Sequence, residues 1–414
     1  MRLREAEAAL ACVLPLQDPA DVRLHRYFRA NPKLGATDRA FVAETTYAVL
    51  RHLRRLDHLT GSGRDPRRLI LACLVKFSGY SVSELEPHLN ADETRWLRSV
   101  KPVSLDELPL PAKLELPDWL YRRLAETKSE ADLIALAQGL LAPAPLDLRI
   151  NPVAARREDV IGALQGSGIE ARPTPYSPFG VRVAGRPAVN QHPLYLEGAI
   201  EIQDEASQLV CLLLAPKRRE MVVDLCAGAG GKSLLVGALM RGQGRVYAFD
   251  VSEKRLDKLK PRLARSGLSN VYPALISNES DARLKRLSGK IDRVLVDTPC
   301  SGFGTLRRNP DLKWRQSPES IEQLKLKQTA LLERGASLLK PGGRLVYATC
   351  SVLREENQGI VVDFLGRHSE FEIVSANTIL AQQHISLDTG EFLELCPHVH
   401  GTDGFFAAVL TRTA

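Results

Sequence analysis

The stretch "MVVDLCAGAGGKSLLVGAL", residues 221–239, joins a short apolar run to a helical pattern through a glycine-rich turn. Such a strand–turn–helix order is typical of the first unit of an α/β domain that binds a nucleotide or a related cofactor. A phosphate-binding Walker loop needs a glycine, four further residues and then Gly-Lys-Ser/Thr. Gly231, Lys232 and Ser233 fit the end of that pattern, but Cys226 occupies the position of the first glycine. The turn therefore favours an adenosine cofactor over a nucleoside triphosphate.

The chain after this turn alternates short β-branched runs with helical stretches. The runs are "RVYAFD", "NVYPALI", "IDRVLVD" and "GRLVYATC", followed by "FEIVSA" and "GFFAAVLTR". Strands that alternate with helices are joined by right-handed crossovers and form a mainly parallel sheet. Together with the opening run they predict seven strands. Residues 206–414 are therefore expected to form an α/β domain around a Rossmann-like sheet.

Two other patterns precede this domain. Residues 1–140 carry apolar side chains at helical spacing, as in "DRAFVAETTYAVLRHLRRLDHL", and predict an all-helical domain. Residues 141–205 change to short strand-like runs around one helical stretch, "REDVIGALQGSG", and predict a small α+β domain. The helical region also contains an arginine cluster, which either grips phosphates or forms a solvated face: Arg51, Arg54, Arg55, Arg64, Arg67 and Arg68.

Polar side chains follow several of the predicted strands. Asp250 ends the second strand, at the distance from the glycine-rich turn at which a carboxylate receives ribose hydroxyls. Asp297 and Cys350 stand at the ends of the fourth and fifth strands. The carboxyl ends of parallel strands meet at one edge of a sheet, where ligands bind beside the switch in strand order. Taken singly, Asp297 and Asp281 also suit a helix cap or a turn.

Two cysteine motifs belong to the same edge. They are "VDTPCSGFGTLRRNPDLKWR", residues 296–315, and "YATCSVLREEN", residues 347–357, and each puts a cysteine at the end of a predicted strand. A single cysteine at such a place is more often a small buried apolar residue. Cys300 and Cys350 together, beside a cofactor turn, indicate reactive thiols instead.

On these motifs the chain resembles the Nop/Sun family of RNA cytosine-C5 methyltransferases, most closely the bacterial branch that contains ribosomal RNA small-subunit methyltransferase B. The resemblance extends over nearly the whole chain. The helical start is similar to the NusB-like RNA-binding domain of that branch, and "LDLRIN" and "EIQDEASQLV" match its middle segment. The rest is similar to its class I methyltransferase domain, and the combined "PCSG" and "ATCS" signatures are highly specific.

The resemblance implies a role for each matching residue. Cys350 is expected to be the nucleophile, and Cys300 to assist release of the product. Asp250 is expected to bind the ribose of S-adenosylmethionine, Asp281 the adenine side, and Asp297 the boundary between cofactor and base. The cofactor loop would consist of Cys226, Ala227, Gly228, Ala229, Gly230, Gly231 and Lys232.

The chain departs from the family pattern at the cofactor loop. The usual loop reads Ala-Ala-Pro-Gly-Gly-Lys-Thr, whereas here Gly228 and Ala229 replace the second alanine and the proline, and Thr298 stands where alanine is usual. Loss of the proline gives the free loop more conformational entropy and is expected to weaken cofactor binding. The chemistry stays intact, but the departures leave the subfamily and the RNA target open.

The expected chemistry explains why thiols are needed. Carbon C5 of cytosine is a poor nucleophile, and addition of a thiolate to C6 turns the ring into an enamine-like nucleophile at C5. Asp297 is expected to hydrogen-bond the N3/N4 edge of the base, and a protonated Asp297 is a further hypothesis. The target base must leave its stack, so we expect a single-stranded or splayed nucleotide. Trp314 would then either stack on a base or pack in the core. The cations beside it would hold phosphates: Arg307, Arg308, Lys313 and Arg315.

Composition excludes several other classes. The net charge of +7 suits a polyanionic partner without requiring one. The seven cysteines form no Cys-x-x-Cys pair, which argues against a disulfide framework and a structural zinc site. No signal peptide or membrane-length apolar run is evident, and a cytoplasmic location is expected. We expect a monomer that binds RNA, ribosomal RNA above all, and neither a metal nor a membrane; His398 and His400 are interpreted as structural.

Three alternatives stay open from the sequence. The enzyme acts on transfer RNA or another RNA, or it methylates a protein or a small molecule, or the chain is a non-catalytic RNA-binding assembly factor that keeps the methyltransferase fold. Intact "DTPCS" and "ATCS" motifs argue against the last of these.

Overall fold

The computed structural model describes residues 2–61 and 63–413, which form two compact units. The first unit runs to Ala142 and also contains Thr305–Pro318; the second contains Pro143–Gly304 and the chain from Glu319 onward. The helices of the first unit before residue 142 are α1 Arg2–Val13, α2 Ala20–Ala30, α3 Ala36–Arg51, α4 Leu53–Thr60, α5 Pro66–Phe77, α6 Val82–Leu85, α7 Ala91–Val100, α8 Leu110–Lys113, α9 Asp118–Ala125 and α10 Glu130–Leu141.

Apolar stripes and capping residues explain the helical unit. Val42, Val49 and Leu50 bury the inner face of α3, and α5 is buried along most of its length. Helix α5 begins at Asp65, whose carboxylate accepts the Arg67 N–H, and α6 and α7 begin with complete capping boxes. The predicted helical amino-terminal region is therefore confirmed. Its likeness to a NusB-like domain stays a prediction, as does the division into three domains.

The second unit begins with a small antiparallel sheet. Its strands are β1 Leu146–Ile150, β2 Ala171–Pro173, β3 Gly180–Val183 and β4 Ile200–Ile202, in the order β2-β3-β1-β4. Helix α11 Arg157–Gly166 covers the sheet, and α12 Pro193–Leu196 precedes β4. The inward residues Leu148, Ile150, Val160, Leu164 and Val181 form a core of their own.

A larger mixed sheet follows in the same unit. Its elements are α13 Glu205–Leu214, β5 Met221–Asp224, α14 Gly231–Leu239, β6 Arg245–Asp250, α15 Glu253–Ser266, β7 Val271–Leu275, α16 Ala282–Arg286 and β8 Ile291–Asp297. After the excursion of α17 Leu312–Arg315 into the first unit come α18 Pro318–Leu338, β9 Leu339–Thr349, α19 Gln358–Arg367, β10 Phe371–Ile373, α20 Ala376–Ala381, β11 Leu393–Leu395, α21 Pro397–His400 and β12 Phe405–Arg412.

The strand order is β10-β12-β9-β8-β5-β6-β7, with β11 paired to β12. The strands β5 to β9 pair in parallel, and β12 lies antiparallel to β9 and β10. This confirms the α/β, Rossmann-like class predicted from the sequence. The sheet of the described chain nevertheless has eight strands, not seven. Sequence periodicity missed β11, three residues that pair only with β12 among the strands of the described chain.

The segment Thr305–Pro318 lies between β8 and α18 in sequence, yet it packs with the helical unit. The Trp314 indole N–H donates to the Leu50 carbonyl at 2.8 Å, and Lys313 Nζ donates to the Arg51 carbonyl at 3.0 Å. The Asp311 carboxylate accepts the N–H of Ala20 at the start of α2. The second half of the Cys300 motif, from Thr305 onward, thus belongs to the helical unit.

Across residues 2–61 and 63–413, no helix has both the length and the apolar character needed to cross a membrane.

Candidate active site

The glycine-rich turn connects β5 to α14 at the carboxyl edge of the large sheet. Gly228 and Gly230 have positive φ values of 57° and 81°. A Cβ atom at Gly230 would lie 1.9 Å from the side chain of Leu259, so the turn needs glycine there both for its conformation and for its packing. At Gly228 the nearest atom to such a Cβ is 4.0 Å away, and the backbone faces open space. A ligand can therefore approach the backbone at Gly228.

The turn is held from two sides. Asp250, at the end of β6, accepts the Gly228 N–H at 2.8 Å through Oδ2 and the Ser252 N–H at 2.7 Å through Oδ1. Arg262 donates to the carbonyl of Ala229 at 2.7 Å. Asp250 is only 3% exposed, and each of its oxygens keeps one lone pair for a further donor.

The small sheet also supports the turn, a role that the sequence did not reveal. Arg149 on β1 donates to the carbonyl of Gly231 and to the side chain of Gln203. Burial lowers the pKa of Arg149 to about 10, so the guanidinium stays charged at neutral pH. An arginine in a predicted strand is an ordinary surface residue by pattern, and only the packing of the two sheets reveals its contact with the turn.

Asp224 and Lys232 are two buried ionisable residues beside the turn. Asp224 is 2% exposed, its Oδ2 accepts the Ser233 hydroxyl at 2.6 Å, and its Oδ1 has no hydrogen-bond partner among the described residues. Burial raises the pKa of Asp224 to about 7. Lys232 Nζ lies 2.7 Å from Asp297 Oδ2; burial disfavours the ammonium, but the charge and hydrogen bond of Asp297 outweigh it and raise the pKa of Lys232.

The contact between Lys232 and Asp297 has the geometry of an ion pair between an ammonium and a carboxylate. A protonated Asp297 would lose most of that attraction. A protonated Asp297 beside a bound base stays a hypothesis. Asp297 and Lys232 still lie side by side at the ends of β8 and the glycine-rich turn, as the strand-end pattern predicts.

The two motif cysteines meet. Cys300 Sγ and Cys350 Sγ are 3.4 Å apart, and both side chains are partly buried. The hydrogen bond with Cys350, burial and the neighbouring Cys350 and Glu356 charges raise the pKa of Cys300 well above its usual value. At this distance the S–H of either thiol can be donated to the sulfur of the other. The serines that follow the two cysteines, Ser301 and Ser351, also meet, with their hydroxyl oxygens 3.0 Å apart.

Asp281 lies apart from these groups, after β7. Its carboxylate caps α16 by accepting the Arg283 N–H at 2.8 Å and also accepts the Ser277 N–H at 3.0 Å. These backbone hydrogen bonds, that of Arg283 first, lower the pKa of Asp281. The capping role is thus visible, and its role beside an adenine stays a prediction.

Two of the predicted phosphate-binding cations bind groups inside the helical unit, Lys313 the Arg51 carbonyl and Arg315 the Asp311 carboxylate. Lys313 is 3% exposed and Arg307 is 4% exposed, so neither side chain is available to a phosphate. Trp314 packs against the helical core, which decides between its two expected roles in favour of packing. Several arginines of the amino-terminal cluster also bind acidic groups: Arg54 with Asp118, Arg64 with Asp57, and Arg67 with Glu93.

The His-x-His pair has a structural contact. His400 Nδ1 accepts the Cys396 N–H at 3.0 Å and so closes the turn before β12. Within the described part of the chain, no group of three or more His, Cys, Asp or Glu side chains has an arrangement suited to a metal ion.

Comparisons with known proteins identify the family to which the chain is similar. Residues 211–411 match the family described as 16S rRNA methyltransferase RsmB/F, and residues 116–190 match the ferredoxin-like domain described as Methyltr_RsmF/B-like. The chain is 32% identical over 425 residues to a probable ribosomal RNA small subunit methyltransferase B of Synechocystis sp., with 95% of each chain covered. It is 30% identical to the ribosomal RNA small subunit methyltransferase B of Shewanella oneidensis, with 91% of each covered.

Solved structures show the same likeness. The crystal structure of PH0851 superposes with a TM-score of 0.81 at 26% identity, over 99% of this chain and 98% of that one. A methyltransferase homolog protein from Pyrococcus horikoshii has a TM-score of 0.64 at 28% identity, over 75% of this chain and 100% of its own. The similarity to PH0851 therefore includes both units and is not confined to the cofactor turn.

Proposed function

Because the chain belongs to the 16S rRNA methyltransferase RsmB/F family, we propose that it methylates C5 of a cytosine in 16S rRNA through a covalent bond between Cys350 and C6. Family membership makes the protein an enzyme, an rRNA small-subunit methyltransferase that depends on S-adenosylmethionine. It also confirms the resemblance carried by the two cysteine motifs. The observation that carries the finer proposal is the pair of sulfurs, 3.4 Å apart at the ends of two neighbouring parallel strands.

The residues at the strand ends fit S-adenosylmethionine. The buried, unpartnered Oδ1 of Asp224 suits the ammonium of the amino-acid end, and the spare lone pairs of Asp250 suit ribose hydroxyls. The open backbone at Gly228 leaves room for the ligand chain. Cys226 to Lys232 would line the site, with Asp281 on the adenine side. When bound, S-adenosylmethionine supplies an electrophilic methyl group.

Cys350 would act as the nucleophile. Its sulfur adds to C6 of the flipped base as a thiolate, and the electron pair of the C5–C6 double bond becomes available for C5 to form the new bond to carbon. Two features support a thiolate at this position. The Cys300 thiol can donate a hydrogen bond to it at 3.4 Å, and the charged Lys232 lies within electrostatic reach.

Cys300 would assist release. Once C5 is methylated, its proton leaves to a base, the C5–C6 double bond forms again, and the C6–S electron pair returns to the Cys350 sulfur. That sulfur leaves as a thiolate, which the neighbouring Cys300 thiol stabilises by hydrogen bonding. Without Cys300 the leaving sulfur loses its donor, and the adduct persists. Asp297, held as a carboxylate by Lys232, would accept a hydrogen bond from the N4 amino group of the base.

The test is a pair of cysteine variants, incubated with S-adenosylmethionine and 16S rRNA. We expect Cys350→Ala to abolish methylation and covalent adducts, and Cys300→Ala to accumulate an RNA–protein adduct that survives denaturation. Cys396→Ala is the matched control and should behave like the wild type, because Cys396 belongs to neither cysteine motif. Full turnover by Cys350→Ala would contradict the covalent scheme.

The identity of the RNA needs a separate measurement. Bisulfite sequencing of a strain without this chain should show loss of one or more 5-methylcytosines in 16S rRNA. Loss only in transfer RNA would instead support the alternative of another RNA target, and no loss together with retained RNA binding would support an assembly factor.

A further inference from the structure

A buried carboxylate stands behind the two cysteines. Glu356 is 0% exposed and lies in the turn between β9 and α19. Its Oε1 accepts the Ser301 N–H at 2.8 Å and the Gln328 side-chain amide at 3.0 Å. Its Oε2 accepts the hydroxyls of both Ser301 and Ser351. Neither the mechanism above nor the cysteine motifs assign any role to this side chain.

These donors satisfy the carboxylate without a counter-charge. The partners of Glu356 in the described chain are a backbone amide, a side-chain amide and two hydroxyls, all of them neutral. Hydrogen bonds from neutral donors to an ionised carboxylate are shorter and stronger than bonds between two neutral groups. A buried charge also makes the loss of any one donor costly. Glu356 therefore fixes the positions of its donors more firmly than a neutral acceptor would.

The donors that Glu356 fixes are the direct neighbours of the two thiols. Ser301 follows Cys300 and Ser351 follows Cys350, so one carboxylate holds the residue after each cysteine. Gly304 also links the two cysteine loops, because its N–H donates to the Cys350 carbonyl at 2.9 Å. A Cβ atom at Gly304 would lie 2.0 Å from the Gly404 carbonyl oxygen, so the two backbones leave no room for a side chain there.

We propose that Glu356 is a positioning residue, which sets the distance between the Cys300 and Cys350 sulfurs by clamping the serine after each of them. The hydrogen bonds of Glu356 go to the serines and not to the sulfurs, so its action passes through Ser301 and Ser351. The inference rests on the proposed function for its effect on catalysis, but the sulfur–sulfur distance can be tested without RNA. Loss of the clamp would let the two loops move independently, and the thiols would spend less time as a pair.

The direct test measures the dithiol. Phenylarsine oxide binds tightly only where two thiols can coordinate one arsenic, so it probes the pair rather than either cysteine. We expect the wild-type protein to bind one arsenical that protects Cys300 and Cys350 from alkylation, as read by peptide mass spectrometry. Glu356→Gln should weaken that protection about tenfold or more, because its amide nitrogen cannot accept the serine hydrogen bonds. Cys300→Ala has only one of the two thiols, so it defines the level of alkylation without dithiol binding.

A matched control is the neighbouring carboxylate. Glu355 is partly exposed and pairs with Lys325 at 3.3 Å, so Glu355→Gln should bind the arsenical as the wild type does. Melting temperatures of all variants, measured beside the assay, separate loose thiols from a partly unfolded protein. If Glu356→Gln does not fold, the Ser301→Ala/Ser351→Ala double variant takes its place, because it leaves the carboxylate but removes both hydroxyl clamps.

Steady-state kinetics provide a second test of the role of Glu356. A displacement near 1 Å at reacting groups lowers rates by about 10²-fold, so Glu356→Gln should lower kcat by about that factor while KM for RNA and for S-adenosylmethionine changes less than about twofold. A folded Glu356→Gln variant that protects both cysteines like the wild type would overturn the proposal. Normal turnover by Cys350→Ala would overturn the proposed function instead, and the arsenical result would still decide the role of Glu356.

Discussion

Each unit of this molecule contains a fully buried glutamate, Glu115 in the helical unit and Glu356 in the second, and the two are held in opposite ways. Glu356 has only neutral donors among its hydrogen-bond partners in the described chain. Glu115 accepts the N–H groups of Arg54 and Arg55 at 3.0 Å each, and its oxygen lies 3.8 Å from the Arg55 guanidinium. Lys313, on the segment that continues from the Cys300 loop, adds a further positive charge near Glu115.

The two glutamates illustrate two ways in which a buried carboxylate acts. Glu115 acts through nearby charges, and Glu356 acts through the directions of its hydrogen bonds. Burial raises the pKa of Glu115 against the pull of Lys313, and burial lowers the pKa of Lys313 to about 8 against the pull of Glu115. The two buried charges therefore stabilise each other through space within the helical unit. Glu356 depends on hydrogen-bond directions instead, so it orients neighbouring groups without a partner charge. Opposite charges that are buried near one another favour packing of the segments that carry them, and a carboxylate among neutral donors fixes how its neighbours are oriented.

The strongest test of this comparison removes one of the two opposite charges. Glu115→Gln leaves Lys313 buried without its counter-charge, and removal of one partner of a buried pair costs about 3–5 kcal/mol in the free energy of unfolding. Urea unfolding followed by circular dichroism measures the loss. The double variant Glu115→Gln/Lys313→Met should recover most of it, because it removes both charges. A double variant no more stable than the single one would show that the pair does not act as a unit.

The corresponding change at Glu356 should be smaller. Ser351→Ala removes one hydroxyl donor to a buried carboxylate and should lower the free energy of unfolding by about 1.5–3 kcal/mol. Ser301→Ala and the double variant should give a non-additive cycle, because both hydroxyls bind the same oxygen, Oε2. Ser337→Ala is the control, since its hydroxyl binds the carbonyl of Arg334 on an exposed helix turn. Additive losses would argue against a shared acceptor.

The positive surroundings of Glu115 also predict a dependence on pH. His52 stacks on Phe77 at 4.1 Å, and burial together with Arg55, Lys313 and Arg51 lowers its pKa to about 3. The unfolded chain therefore takes up the His52 proton first, so stability is complete above pH 6.5 and falls as the pH drops towards 3. At pH 5 the loss should be about 2 kcal/mol relative to pH 7.

The variant His52→Gln isolates this contribution. Its free energy of unfolding should change less between pH 7 and pH 5 than that of the wild type, by about the same 2 kcal/mol. Equal changes in both proteins would assign the acid sensitivity to other groups.

The smallest effect concerns the packing of the connecting segment. Trp314→Phe keeps an aromatic ring but loses the hydrogen bond to the Leu50 carbonyl, at a cost of about 1 kcal/mol in stability. Because Trp314 packs in the helical unit, affinity for RNA should stay unchanged in filter-binding titrations. A stacked base would contribute about 1–3 kcal/mol. A tenfold loss of affinity in Trp314→Phe would therefore indicate that Trp314 stacks on a base of the RNA.

Local patterns predicted the parts of the fold that local physics decides. Alternation of strands and helices defined the parallel sheet, and the polar groups at its carboxyl edge followed from the strand ends. Asp250, Asp297, Cys300 and Cys350 could therefore be chosen from the order of residues alone. The eighth strand, Leu393–Leu395, was not predicted although it is as long as β10, and its place in the sheet depends on its pairing with β12.

Other features had no local signal. Glu355 and Glu356 are identical neighbours in the sequence, yet Glu356 binds the serines of both cysteine loops, whereas Glu355 pairs with Lys325. Neither Arg149 nor Arg64 has a sequence signal for its partner, yet Arg149 supports the cofactor turn, whereas Arg64 pairs with Asp57. The fate of such side chains depends on which distant segments cover them.

The sequence by itself determined the order of strands and helices, the glycine turn and the two cysteines at the sheet edge, because these follow from spacing and chain stereochemistry within a few residues. The tertiary structure alone decided that the two sulfurs are in contact, that Glu356 binds the serines beside them and that Trp314 packs against the helical core. Those outcomes depend on burial, and burial of a polar group is settled by partners far away in the chain that must satisfy its hydrogen bonds or its charge.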